Sequence, residues 1–265
     1  MSKWIVTLSA ALFTFGAGAQ NLTLQQLDQT DFENILKDFS AVFNHTSVSG
    51  ASSLGTIFGF ELGLVAGMTR TGRIDALADE SGTDQDAGKI PHGALLGIIT
   101  VPAGITVEAG FIPKVGSEDF KFNTFSAAVK WTPTDVFLDW PLSVAIKAHL
   151  TRTKVEFNQV IATVPTKFDY TNTITGFTLL ASKNFVLVEP YAGLQILSAK
   201  GDMDVTGSPN VFDSSFTVAT SASAKAKSTG FLLGCELKLL IVKLGAEYQN
   251  LFGTSRYTGK LSFYF

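Results

Sequence analysis

The chain has 265 residues, a net charge of −3, 46% hydrophobic and only 16% charged side chains, and a single cysteine. A near-neutral balance without a clustered basic stretch excludes the electrostatic footprint of a nucleic-acid-binding protein, and one cysteine excludes an intramolecular disulfide framework. Mean hydropathy is positive, yet beyond residue 19 no run of 18 apolar residues occurs, so any membrane residence must use strands rather than helices.

Met1 to Ala19 reads as a secretory signal peptide. Lys3 supplies the positive charge, Trp4 to Phe15 the apolar run, and Ala17-Gly18-Ala19 an A-x-A cleavage site before Gln20. The apolar run is too short to span a bilayer. Between Gln20 and Gly55, Phe32, Ile35, Leu36, Phe39, Val42 and Phe43 recur at helical spacing. Thr30 and Glu33 are spaced as a capping box, which predicts a helix over about 31–43. A Ser/Gly-rich linker, Ser47 to Gly55, follows.

Ten segments of alternating apolar and polar residues come next: 57–70, 90–101, 104–113, 120–131, 140–153, 168–182, 185–199, 216–238, 240–249 and 254–265. Connections alternate between short (near 102–103, 132–139, 183–184 and 239) and long or polar (71–89, 154–167 and 200–215), with brief ones at 114–119 and 250–253. Val155–Val164 is a candidate strand extension, and an even count, which eight or twelve strands would also give, returns the chain to the side on which the barrel begins. A strand points alternate side chains to opposite faces. Leu240, Val242, Leu244, Ala246 and Tyr248 share one face, as do Leu142, Val144, Ile146, Ala148 and Leu150, and Ile105, Val107, Ala109 and Phe111. The opposite faces, with their neighbours in phase, carry Glu61, Glu108, Lys147, His149, Glu189, Glu236, Lys238, Lys243 and Glu247. Charges facing lipid cost several kcal/mol near the midplane, which assigns this set to an interior. There it is either a packing network or the lining of a transport path. Cys235 falls in phase with the apolar face, and Trp131, Trp140, Tyr191, Tyr248 and Tyr257 near strand ends are assigned to interfacial girdles.

The final strand carries Tyr257, Gly259, Leu261, Phe263 and Phe265 on one face. This ending resembles the C-terminal sorting strand of bacterial outer-membrane β-barrels. The resemblance implies an all-β antiparallel transmembrane barrel of about ten strands over 56–265 in the bacterial outer membrane, surrounded by lipid and lipopolysaccharide and recognised by the barrel-assembly machinery. Residues 20–55 are then expected to form a periplasmic helix and linker that plug or cap the periplasmic opening. A looser architectural resemblance to the long-chain fatty-acid transporters, whose barrels have more strands and an N-terminal plug, covers no motif.

Chemistry-bearing motifs are sparse. His92 and His149 are candidates to meet the acidic first loop, where Asp75, Asp79, Glu80, Asp84 and Asp86 cluster, but the spacing matches no calcium loop. Neither a catalytic set, a phosphate loop nor a Cys/His metal cluster is evident, so neither enzyme nor cofactor is expected. Asn44-His45-Thr46 fits a glycosylation pattern that has little force in a bacterium. Two functions are consistent with the sequence: a structural or surface-interaction barrel, and a narrow transporter for a small or apolar solute gated by the N-terminal segment. On the expected phase Leu244→Arg is costly and Gly245→Ser mild.

Overall fold

The computed structural model describes residues 27–55, 58–80, 88–117, 120–138, 140–161, 164–207 and 221–265. The signal sequence, Asp84 and Asp86 lie outside them. Ten antiparallel strands form one closed barrel in chain order: β1 (Gly59–Arg70), β2 (Lys89–Val101), β3 (Ile105–Gly116), β4 (Phe120–Trp131), β5 (Ser143–Ile161), β6 (Val164–Ser182), β7 (Val188–Thr206), β8 (Ser221–Leu239), β9 (Val242–Leu251) and β10 (Thr254–Tyr264). Closure pairs β1 with β10, with Glu61 opposite Tyr264. It is finished by reciprocal backbone bonds between Phe60 and Phe265 of 2.9 and 2.8 Å. A closed sheet leaves no unpaired edge, the condition for crossing hydrocarbon with strands.

The alternation sorts the faces as their period requires. Leu62, Leu95, Phe111, Phe125, Leu150, Phe177, Ile196, Leu233, Leu244, Leu261 and Phe263 point outward and are exposed, as are Cys235 and Tyr257. At the end that carries Phe265 the β2–β3, β6–β7 and β8–β9 turns are short. The β2–β3 connection, for example, turns through two positive φ angles, 70° at Ala103 and 71° at Gly104.

At the other end the barrel is lopsided. Strands β5 to β8 have 19 residues each, whereas about 9–11 tilted residues suffice to cross the apolar layer. Their surplus stands as a wall beyond it. The expected polar loop 154–167 is therefore mostly a continuous β5–β6 hairpin, with Phe157 stacked on Phe168 at 4.3 Å. Likewise β7 runs on to Thr206. Polar and charged residues there sit on the outward face of strands whose inward face is apolar, so both halves of the alternation remain satisfied.

Helix α1 (Gln29–Phe43) starts two residues earlier than expected. Its N-cap is Asp28, whose Oδ1 accepts from the Asp31 amide at 2.8 Å while the Asp31 carboxylate accepts from the Asp28 amide at 3.1 Å. This reciprocal box outcompetes the Thr30/Glu33 alternative. The position of α1 is also not the expected one. It does not cap the end near Phe265 but packs inside the opposite end, against the inner face of the tall wall. Phe32, Ile35 and Leu36 join Val155, Phe168, Tyr170, Met203, Val205, Ala222, Ala224 and Ala226 in one apolar cluster. Phe32 meets Tyr170 edge-on at 6.2 Å, and the three alanines of β8 leave room for the helix to approach. The physical reason is burial. An apolar stripe of this size gains most where an apolar surface awaits it, and the upper wall supplies one that the charged lower lumen does not.

Helix α2 (Gly72–Glu80) occupies the start of the first outer loop, which carries Asp75 and Asp79 as helical residues. It is tied to α1 by buried Asp38, which accepts from the Arg73 and Ile74 amides at 2.9 and 3.1 Å and from Arg73 Nη1 at 2.7 Å. A short helix, α3 (Thr134–Phe137), lies in the β4–β5 turn at the Phe265 end.

Candidate functional site

The lower lumen holds the charged set, and the N-terminal chain runs through it. After α1 the backbone descends as a strap from Asn44 to Leu54, buried from Asn44 to Ala51. The segment whose composition suggests a flexible linker is held at nearly every residue by barrel side chains. Arg256 Nη1 donates to Asn44 O at 2.7 Å, and His149 Nε2 pairs with Asn44 Oδ1 at 2.9 Å. His45 bridges Ser126 Oγ and Glu108 Oε2, both at 2.9 Å. Thr46 donates to Glu247, and Lys147 donates to Ser47 Oγ at 3.2 Å. Lys260 donates to Ser49 Oγ at 2.9 Å.

Below, the Gly50 amide reaches Glu236 at 3.2 Å while Lys130 Nζ caps the Gly50 and Ser52 carbonyls at 2.8 and 3.0 Å. The Ser52 amide and hydroxyl donate to Glu189, and Ser53 donates to Asp135 of α3. Small residues are what this path requires. A Cβ at Gly50 would collide with Glu189, and Val48, wholly buried, holds a φ of 47° that a β-branched residue adopts only when its surroundings impose it.

Around the strap the charges pair. Lys260 Nζ lies 2.7 Å from both Glu61 and Glu236, and Lys243 lies 3.0 Å from Glu61. Lys238 meets Glu189 at 2.7 Å, and Lys147 meets Glu108 at 3.4 Å. Buried charges survive only with such partners. All nine residues assigned to the interior from their phase are there, with Lys238 only partly buried near the Phe265 end.

The set leaves out Lys260, Arg256, Lys130, His45 and His92, all of them buried in the lumen. Arg256 and Lys130 were legible, since each shares parity with a buried neighbour on its own strand. Tyr191 is a correction. It is buried and donates to Glu247 at 3.0 Å rather than joining a girdle, as its parity with Glu189 demands. His92 and His149, the candidates to meet the acidic first loop, are buried in the lumen, where His149 pairs with Asn44. His92 is held between Thr69 and Thr258 at 3.0 and 2.9 Å, because the period turns both rings inward.

The strap leaves a cavity of about 30 Å³ bordered by Asn44, His45, His92, Ser126 and Arg256, room for one or two waters. Among the described residues no group of three or more His, Cys, Asp or Glu side chains is placed to hold a metal ion.

A closed barrel with an apolar outer band, a polar lower lumen and tall strands at one end is a bacterial outer-membrane β-barrel, with the Phe265 end periplasmic and the tall wall outside. Solved structures similar to the chain are of this kind. The attachment invasion locus protein Ail of Yersinia pestis matches with a TM-score of 0.33 and 11% identity, covering 78% of this chain and 97% of its own. Neisserial surface protein A matches with 0.30 and 10%, covering 78% and 96%. The translocator domain of the autotransporter NalP from Neisseria meningitidis matches with 0.43 and 11%, covering 89% and 95%. No curated protein matches the sequence. A family model matches residues 1–256, and the chain belongs to that family, the family of unknown function DUF6588.

Proposed function

We propose that the protein is a permanently plugged outer-membrane barrel with a structural or surface-interaction role, rather than a channel or an enzyme. The observation that carries this reading is the strap. Opening a path would break the bonds from Arg256, His149, Glu108, Glu247, Lys147, Lys260, Lys130 and Glu189 together, and each buried charged partner left behind costs on the order of 1–3 kcal/mol or more. Ten strands also lie close to the size at which side chains alone fill a lumen.

The tall wall is the interaction surface. On its outward face Arg152, Thr173, Lys200 and Lys225 stand side by side on four neighbouring strands, with Lys200 directly opposite Lys225. Like charges in that position destabilise a sheet. Asp202, 2.8 Å from Lys200 Nζ, offsets part of the repulsion, and the row lies two steps above the lipid-facing Phe177 and Ile196, where phosphates of lipopolysaccharide supply further negative charge. The terminal strand, ending in outward Phe263 and Phe265, serves recognition by the assembly machinery. Planar-bilayer conductance of the full-length protein tests the plugged state. Silence is expected, and steady single-channel steps from the intact protein would sink the reading in favour of a narrow transporter.

A further inference from the structure

Arg256 is a buried cation without a close counter-charge. It is 3% exposed, and among the described residues no carboxylate lies within 4.0 Å of its guanidinium. Nη1 donates to Asn44 O at 2.7 Å and to Gln249 Oε1 at 3.3 Å, and Glu247 is reached only through that amide, whose Nε2 donates to it at 2.7 Å. Nε donates to His92 Nε2 at 3.2 Å, which makes that nitrogen an acceptor and keeps the ring from being a second cation. Nη2 makes no hydrogen bond to a described residue. Lys130, likewise without a close carboxylate, is spent on the Gly50 and Ser52 carbonyls. With the histidines counted as neutral, Arg256 and the lysines at 130, 147, 238, 243 and 260 face Glu61, Glu108, Glu189, Glu236 and Glu247, so the lower lumen carries one more positive than negative charge among the described residues.

We propose that the cavity beside Arg256 is a binding site for one small monovalent anion of the size of chloride. Arg256 borders that cavity of about 30 Å³, and room for one or two waters admits a chloride ion but not a bulky organic anion. Burying a guanidinium is tolerated when a counter-charge touches it. Water would fill the same space and leave the surplus charge uncompensated, whereas a single monovalent anion cancels it. Phe43, Ala94 and Ile112 border the cavity towards the outer mouth and are partly exposed, which gives ions a way in from that side. The anion fixes the guanidinium that caps Asn44 O, so it belongs to the lock on the upper end of the strap. The site needs only the position of the strap and holds whether or not the barrel conducts.

Urea unfolding of the full-length protein in lipid vesicles tests this, with sodium chloride replaced stepwise by sodium gluconate at constant ionic strength. Urea is used because guanidinium chloride would itself supply the anion. Chloride is expected to lower the unfolding constant, approaching about tenfold for each tenfold rise in chloride once the site fills. An unfolding constant that is the same at every chloride-to-gluconate ratio overturns the proposal. Arg256→Met, if it folds by heat-modifiable migration, is expected to lose the chloride dependence, and a folded variant that keeps it refutes the site. Crystals of the unaltered protein grown in bromide give a readout that needs no variant. An anomalous peak within hydrogen-bond distance of Arg256 Nη2 is expected, and no peak there overturns the proposal. A peak without chloride dependence in solution marks an adventitious ion only and overturns it as well.

Discussion

Gly245 offers the sharpest test of whether the strap occupies the lumen as described. On phase alone it is an inward glycine at which a small side chain is harmless. In the structure a Cβ at this position would lie 2.8 Å from Val48 Cγ1 and 3.2 Å from Val48 O. Val48 is fully buried and cannot swing away. Overpacking of this kind costs about 1–3 kcal/mol, so Gly245→Ala, and Gly245→Ser more so, is expected to destabilise the barrel by that amount. The added methyl should be accommodated when Val48 is shortened. In a double-mutant cycle with Val48→Ala, a coupling of about 1 kcal/mol or more is expected, of the size seen for residues in contact. Leu244→Arg, one position away on the lipid face, is expected to cost about 2–4 kcal/mol near the midplane and to show no coupling to Val48. Denaturant unfolding in lipid vesicles, followed by tryptophan fluorescence and by heat-modifiable migration, measures each of these quantities. A neutral Gly245→Ala, or a cost that Val48→Ala leaves unchanged, would refute the threaded strap.

Lys260 is fully buried and donates to Glu61, Glu236 and Ser49. Lys260→Met takes the close cation from Glu236 and leaves Glu61 with Lys243 alone, which is expected to cost about 3–5 kcal/mol, and adding Glu236→Gln should recover part of it; denaturation midpoints of the single and double variants give the comparison. Phe265→Ala removes an exposed terminal aromatic but leaves its backbone bonds to Phe60 intact. Slower assembly is therefore expected with little change in the stability of the folded barrel, measured as the fraction of heat-modifiable protein against time.

Much of this architecture is written in local periodicity. A strand's two faces follow from a period of two, and lipid on one side makes every outward charge costly, so ten strands, their phase and the inward charges from Glu61 to Glu247 are legible residue by residue. The same rule, applied without exception, also places Tyr191, Arg256 and Lys130 inside. Pairing partners are a different matter. Which carboxylate faces Lys260, or which carbonyl Arg256 caps, depends on strands and strap far apart in sequence, and the sequence pattern carries no register between them.

Nor does an amphipathic helix state its destination. The stripe from Phe32 to Phe43 demands an apolar surface, and only the tertiary structure reveals one at the outer end, built from the inward faces of strands that continue past the membrane. Ser47 to Gly55 looks like a flexible linker because small residues are permissive in isolation. Inside a lumen lined with Glu and Lys they are the residues that let a backbone pass close enough to be held, and the fold alone decides that a linker becomes a plug.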